Sequence, residues 1–204
     1  MSPVRLEHIA YVIIVATMRT ITFVTGNQQK LMAAQAICGP LGITIINEQL
    51  DIVEIQSENA EDIAIDKAAK AYAGLGRPIV VNDDAWLIPG LNGFPGPYMK
   101  SINHWFSSDD WLRLTRDLAD RRIILRQYIV YQDAGGQKVF RYDIEGRLLT
   151  EARGEANNHN DTIVSFNDEG LSNAEVRATG KSSIEHRETA WHAFAAWLQT
   201  RENL

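Results

Sequence analysis

The chain has 204 residues, 45% of them hydrophobic and 23% charged, with 20 Lys plus Arg against 26 Asp plus Glu and a formal net charge of −6. That is the make-up of a folded, soluble chain of one sizeable domain, and it excludes the low hydrophobicity and high net charge of a disordered one. The acid excess argues against a protein that holds nucleic acid by bulk charge, yet it allows a small anion in a locally basic cleft.

In chain order the first feature is the apolar run IAYVIIVA at residues 9–16. It is far shorter than the roughly 20 residues a membrane span needs. With Arg5 before it the run weakly imitates a signal peptide, and it also reads as an extra strand or a lead-in. A third reading is carried forward: residues 1–17 are an extension and Met18 is the natural start, since a clean strand begins just after it. Residues 20–25 (TITFVT) are apolar and β-branched, a strand broken by Gly26 and Asn27. Residues 28–38 read as a helix ending near Gly39-Pro40, and residues 43–47 as a second strand. Residues 59–75 are Ala-rich with Glu61 and Asp62 in the first turn, which suits a helix. Residues 78–82 (PIVVN) form a short buried strand, and residues 90–97 a Gly/Pro loop. Residues 109–120 look helical. Residues 122–132 and 138–151 read as a long hairpin turned at Gly135-Gly136. A polar loop at 157–161, a strand at 162–166, a turn at 168–170 and a helix at 183–200 complete the chain. The pattern predicts an α/β or α+β fold, a mixed sheet with helices packed on it.

One cysteine, Cys38, rules out an intramolecular disulfide and a cysteine zinc cluster, and suits a reducing compartment. The histidines, at 8, 104, 159, 186 and 192, never show the H-x-x-x-H spacing, so carboxylate–Mg²⁺ chemistry is the open metal option.

Four places carry candidate chemistry. In Thr25-Gly26-Asn27-Gln28-Gln29-Lys30 a strand meets a Gly turn and a helix N-terminus, where free N–H groups face an anion and Lys30 can swing back over it. An ordinary β–α turn with a surface lysine explains the same residues. Asp83 and Asp84 follow the PIVVN strand, where a Mg²⁺ ion would relieve their repulsion and one carboxylate could activate a water; a solvated turn is the alternative. Glu54 is a third candidate, and because it alternates with apolar neighbours a solvent-facing strand position explains it equally well. Ser182 and Glu185 fit a capping box for the last helix. Arg187 then falls on the inward stripe with Ile184 and Trp191, and Lys181 and His186 beside it complete an anion site; the alternative is an Arg187 salt bridge to a structural carboxylate. Lys67, on a face with Ala60, Ala64 and Ala71, reaches a cleft edge or merely snorkels, and Lys100 follows the Gly/Pro loop, where an ordinary surface lysine is the alternative.

Taken together and in this order, the segments TFVTGNQQKL, DIVEIQ with AEDIAIDKAAKAY, VVNDDAWLIPGLNGFPGPYMKS and GKSSIEHRETA resemble the inosine triphosphate pyrophosphatase family, over residues 19–200. The resemblance implies an elongated α/β fold with two lobes round a cleft, a homodimer, and a single domain over residues 18–204. It implies Mg²⁺-dependent hydrolysis of deaminated or otherwise non-standard purine nucleoside triphosphates to monophosphate and pyrophosphate, in the cytoplasm, with no nucleic-acid or membrane partner. Thr25, Asn27 and Lys30 would bind phosphate from the first turn, and Lys67 from its helix. Glu54 and Asp84 would hold Mg²⁺, with Asp84 acting on the attacking water and Asp83 supporting it. Lys181, His186 and Arg187 match the closing segment that contacts the purine. The alternative, from another class, is a catalytically silent nucleotide-binding sensor or scaffold.

Two departures stand out. Ala85-Trp86 replaces a Thr or Ser followed by a small residue. The family's Gly-aromatic-Gly-Tyr-Asp-Pro-x-Phe loop gives way to residues 157–166 (NNHNDTIVSF), where Asp161 is read as a remnant of the Asp and only His159 offers a ring to stack on the base. Phosphate and metal chemistry look retained, and an altered nucleobase preference is expected.

Overall fold

The computed structural model describes residues 19–184 and 187–201. The run at 9–16, Met18, Glu185 and His186 lie outside the described residues. The first half of the chain is built on parallel pairing. Strand β1 (Arg19–Val24) runs into helix α1 (Gln28–Cys38), and the crossover returns to β2 (Ile43–Glu48), parallel to β1. Helix α2 (Ala60–Leu75) then leads to β3 (Ile79–Leu87), parallel to the other edge of β1. Gly76 ends α2 in the left-handed region, at φ 62°, and its N–H bonds the Tyr72 carbonyl.

The second half is antiparallel. After the two-residue β4 (Pro95–Gly96), which folds back on β3, come helices α3 (Met99–Trp105) and α4 (Ser108–Thr115). The long hairpin β5 (Arg122–Asp133) and β6 (Gly136–Leu148) pairs with β3 through β5 and with the short β7 (Val164–Ser165) through β6. Helices α5 (Asn173–Ala178) and α6 (Ala190–Gln199) follow. The main strand order is β2-β1-β3-β5-β6-β7. No helix among the described residues is long and apolar enough to cross a membrane.

Three apolar cores hold this sheet. On one face Leu31, Ala34 and Cys38 of α1 and Trp191, Phe194 and Leu198 of α6 cover Phe23, Val80, Ile129 and Tyr131. On the other, Ala60, Ala64, Ala68 and Ala71 let α2 pack closely on Val24, Ile79, Val81 and Val130. A third core gathers Ile88, Met99, Trp111, Ile123, Leu125, Ile144 and Phe166 where the long strands run past the first two. Strands β5 and β6 therefore pass from one core into another, and the site lies at that passage. Close packing here is severe at Gly146, where an added Cβ would meet the Ser165 carbonyl and the Phe166 ring at 2.5 Å. Gly146→Ala should cost about 1–3 kcal/mol and lower Tm by about 2–4 °C for each of those. A thermal melt that matches wild type would show that β6 and β7 can part there without cost.

Several expectations need correction. The strand predicted at 78–82 continues through Asp83 and Asp84 to Leu87, because every residue from Ile79 to Leu87 pairs with β5 and the ladder outweighs the poor strand propensity of Asp. Glu54 lies in an irregular segment rather than on a strand. The helix expected at 109–120 is α4, capped by Ser107 in a box with Asp110 and ending early, at Thr115, and α3 and α5 were not anticipated. The polar loop at 157–161 is in part buried, with Asn160 and Asp161 inside. The helix expected from residue 183 starts at Ala190, because Thr189 takes the cap position and its N–H donates to His192 Nδ1 at 3.1 Å.

Candidate active site

The first turn is organised by its own side chains. Thr25 Oγ1 accepts the Asn27 N–H at 3.1 Å, and Asn27 Oδ1 accepts the Gln29 and Lys30 N–H groups at 3.0 and 3.2 Å. Asn27 is thus the N-cap of α1, which the strand-to-helix break at Gly26 requires. Its amide nitrogen bonds none of the described residues, and a Cβ at Gly26 would meet nothing within 4 Å, so space stands open beside a positive helix end.

Strand parity does the rest. Successive side chains of β3 point to opposite faces of the sheet. Asp84 shares the α1–α6 face with Val80, and Asp83 shares the α2 face with Val81. Lys30 reaches from α1 to Asp84 Oδ2 at 2.9 Å and donates to the Asn82 carbonyl at 3.4 Å. Lys67 reaches from α2 to Glu54 Oε1 at 2.6 Å and to Asp83 Oδ2 at 3.7 Å. Asp83 Oδ1 accepts the Asp84 N–H at 2.9 Å. Repulsion between the aspartates is therefore relieved first by their opposed directions and by a lysine on each side.

Asn82, which sequence reasoning did not single out, ties this together. Its Nδ2 donates to Asp84 Oδ1 at 2.8 Å and to the Tyr128 carbonyl across the sheet at 3.1 Å. Its place at the end of the apolar strand was the only available signal. Burial pushes the Asp83 carboxyl above the ordinary range, and Lys30 and Lys67 offset this only in part. Burial also works against the Lys30 ammonium, but Asp84, Asp83 and Glu54 outweigh it and raise its pKa. For Glu54 burial acts upward, yet the Lys67 hydrogen bond and charge, then Lys100 and Lys30, hold its pKa below the usual value. The groups form one electrostatic unit in which the cations face the acids.

The closing segment is arranged differently from the expectation. Arg187 precedes α6 and is exposed, so it does not lie on the helix's inward stripe; it donates to the Phe166 carbonyl at 3.1 Å and pairs with Asp168 at 3.1 Å. That is the salt-bridge alternative, made to an exposed turn. Lys181 is exposed and lies nine residues before Ala190, away from the start of α6. His186 lies outside the described residues. His159 is exposed beside the N-terminus of α4, where its carbonyl accepts the Ser108 hydroxyl at 3.5 Å. In the rewritten loop Asp161 is buried against Arg177 at 2.8 Å, a pair the sequence did not announce.

A metal ion fits this donor set chemically. Glu54, Asp83 and Asp84 offer only hard oxygens, and Asp83 Oδ2 is buried without a hydrogen-bond partner among the described residues. Among the described residues no three His, Cys, Asp or Glu form a ready cage.

The sequence profile of the Ham1 family matches residues 21–197. The chain is 34% identical over 180 residues to a dITP/XTP pyrophosphatase of Methanopyrus kandleri, covering 88% of this chain and 96% of that protein. It is 34% identical over 183 residues to an inosine triphosphate pyrophosphatase of Ajellomyces capsulatus, covering 89% of this chain and 97% of that protein. In fold it is similar to a HAM1 protein from Coxiella burnetii, with a TM-score of 0.74 at 23% identity, over 90% of this chain and all of that one. The α/β fold, a mixed sheet with flanking helices, is the one shared with these proteins, and the chain belongs to the Ham1 family.

Proposed function

We propose that the protein hydrolyses the α–β anhydride of non-standard purine nucleoside triphosphates, releasing a monophosphate and pyrophosphate. The observation that carries this reading is the pairing of Lys30 with Asp84 and of Lys67 with Glu54 and Asp83, on two faces of one strand, beside the capped N-terminus of α1. The lysines and the Asn27 amide nitrogen form a cradle for phosphate oxygens at the positive end of α1. When phosphates draw Lys30 and Lys67 away, Asp84 is left to orient the attacking water and accept its proton, and Asp83 keeps Asp84 in place through the Asp84 N–H. Glu54 and Asp84 are the residues to hold Mg²⁺, which when bound supplies charge neutralisation to the phosphates. Arg187, anchored on Phe166 and Asp168, marks the end of the site assigned to the base, with Lys181 and His186 assigned there from sequence. The same reading includes a homodimer in the cytoplasm.

The test is a panel of nucleoside triphosphates with Mg²⁺, reading pyrophosphate. Release from inosine or xanthosine triphosphate at least about tenfold faster than from ATP, abolished by chelator, is expected; a tenfold preference corresponds to about 1.4 kcal/mol. Tight binding of these triphosphates with no release from any would favour the sensor instead.

A further inference from the structure

On the face of the sheet that carries Asp84, two apolar cores are separated by a single polar row. Along β5, Ile123 and Leu125 belong to the outer core, Ile129 and Tyr131 to the core under α1 and α6, and Gln127 stands between them. The register sets Gln127 opposite Asp84 on one side and Tyr142 of β6 on the other. Residues so paired share a face, with Cα atoms about 4.5–5.5 Å apart. Tyr142 packs against both cores, and its hydroxyl donates to Glu188 at 3.1 Å.

Gln127 is anomalous in this setting. It is only 6% exposed, and among the described residues its Oε1 has no hydrogen-bond partner. Its Nε2 bonds none of the described residues. A buried carboxamide acceptor left unpaired is costly, whereas an apolar side chain at this position would simply join the two cores. A ligand that meets the carboxamide removes the anomaly.

The direction of the site says which part of a ligand that is. Lys30, Asn27 and the end of β1 lie on one side of Asp84, and Gln127 lies on the other. A nucleotide with its phosphates on the lysines and its α-phosphate over Asp84 runs its uncharged end across β5. The first group beyond the α-phosphate is the sugar. Sugar hydroxyls donate and accept, and a carboxamide does both. Resting on the pyrophosphatase reading above, we propose that Gln127 hydrogen-bonds the sugar hydroxyls and makes the enzyme sensitive to their presence.

The experiment compares kcat/KM for one purine triphosphate as its ribose, 2′-deoxyribose and 2′,3′-dideoxyribose forms, in wild type, Gln127→Met and Gln127→Leu. Wild type is expected to favour ribose over dideoxyribose by about five- to tenfold, the worth of one or two neutral hydrogen bonds. In both variants that ratio should collapse to near one, with melting temperatures at or above wild type. A wild-type ratio near one overturns the inference without recourse to any variant. So does a variant that slows all three forms equally and keeps the ratio, the result for a residue that orients the water instead. Wild type that turns over none of the three overturns the pyrophosphatase reading and takes the inference with it.

Discussion

Asp84→Asn is expected to lower kcat by about 10²–10⁴-fold, the usual worth of a positioned general base, while leaving the fold intact. The substitution is close to isosteric. Its Oδ1 can still accept from Asn82 Nδ2, so the strand end stays tied to Tyr128. What disappears is the negative charge that pairs with Lys30 and the basicity needed to take a proton from water. KM should change little or fall, because Lys30 is then free for phosphate in the resting protein. Single-turnover measurement of pyrophosphate separates the two effects. A variant that keeps more than about a tenth of kcat would remove Asp84 from the general-base role.

Lys30→Ala should lower kcat/KM by about 10²–10³-fold, comparable to the loss of one donor aimed at transition-state charge. The drop should be equal for every base, because Lys30 sits at the N-terminus of α1 and faces Asp84, far along the site from Arg187. It should also leave the Asp84 carboxylate without its cation in a half-buried place, with some loss of stability. Comparing inosine, xanthosine and adenosine triphosphates tests the assignment: a loss confined to one base would place Lys30 at the base end and reverse the polarity proposed for the cleft.

The α/β half of the fold was legible because its signals are local. The helix at 28–38 coincides with α1, and that at 59–75 with α2 and its cap Asn59, since composition, caps and Gly76 agree. The hairpin turn at Gly135-Gly136 was equally plain. The capping box was not. Ser172-x-x-Glu175, which has the same pattern as Ser182-x-x-Glu185 but was not singled out, caps α5, while Glu185 lies outside the described residues. Lys30 was singled out at a turn, Asp83 and Asp84 at a strand end, Lys67 on a small-residue helix face and Glu54 in an alternating segment, but the way they pair was hidden, since it depends on sheet register and on the loop that carries Glu54. Asn82 and Gln127 were missed for the same reason: a polar residue at a strand end or mid-strand has no meaning until its neighbours across the sheet are known.

The register also gives the two aspartates separate identities. They are the same amino acid, adjacent in sequence, and differ only in parity along β3. A slip of one residue in that strand would hand each carboxylate to the other helix's lysine and turn the Asn82 amide away from its carbonyl partner. A slip of two would keep every assignment and merely move the site along the sheet. Natural variation in the length of the α2–β3 connection is therefore free only where the odd-and-even order of Asn82, Asp83 and Asp84 is preserved.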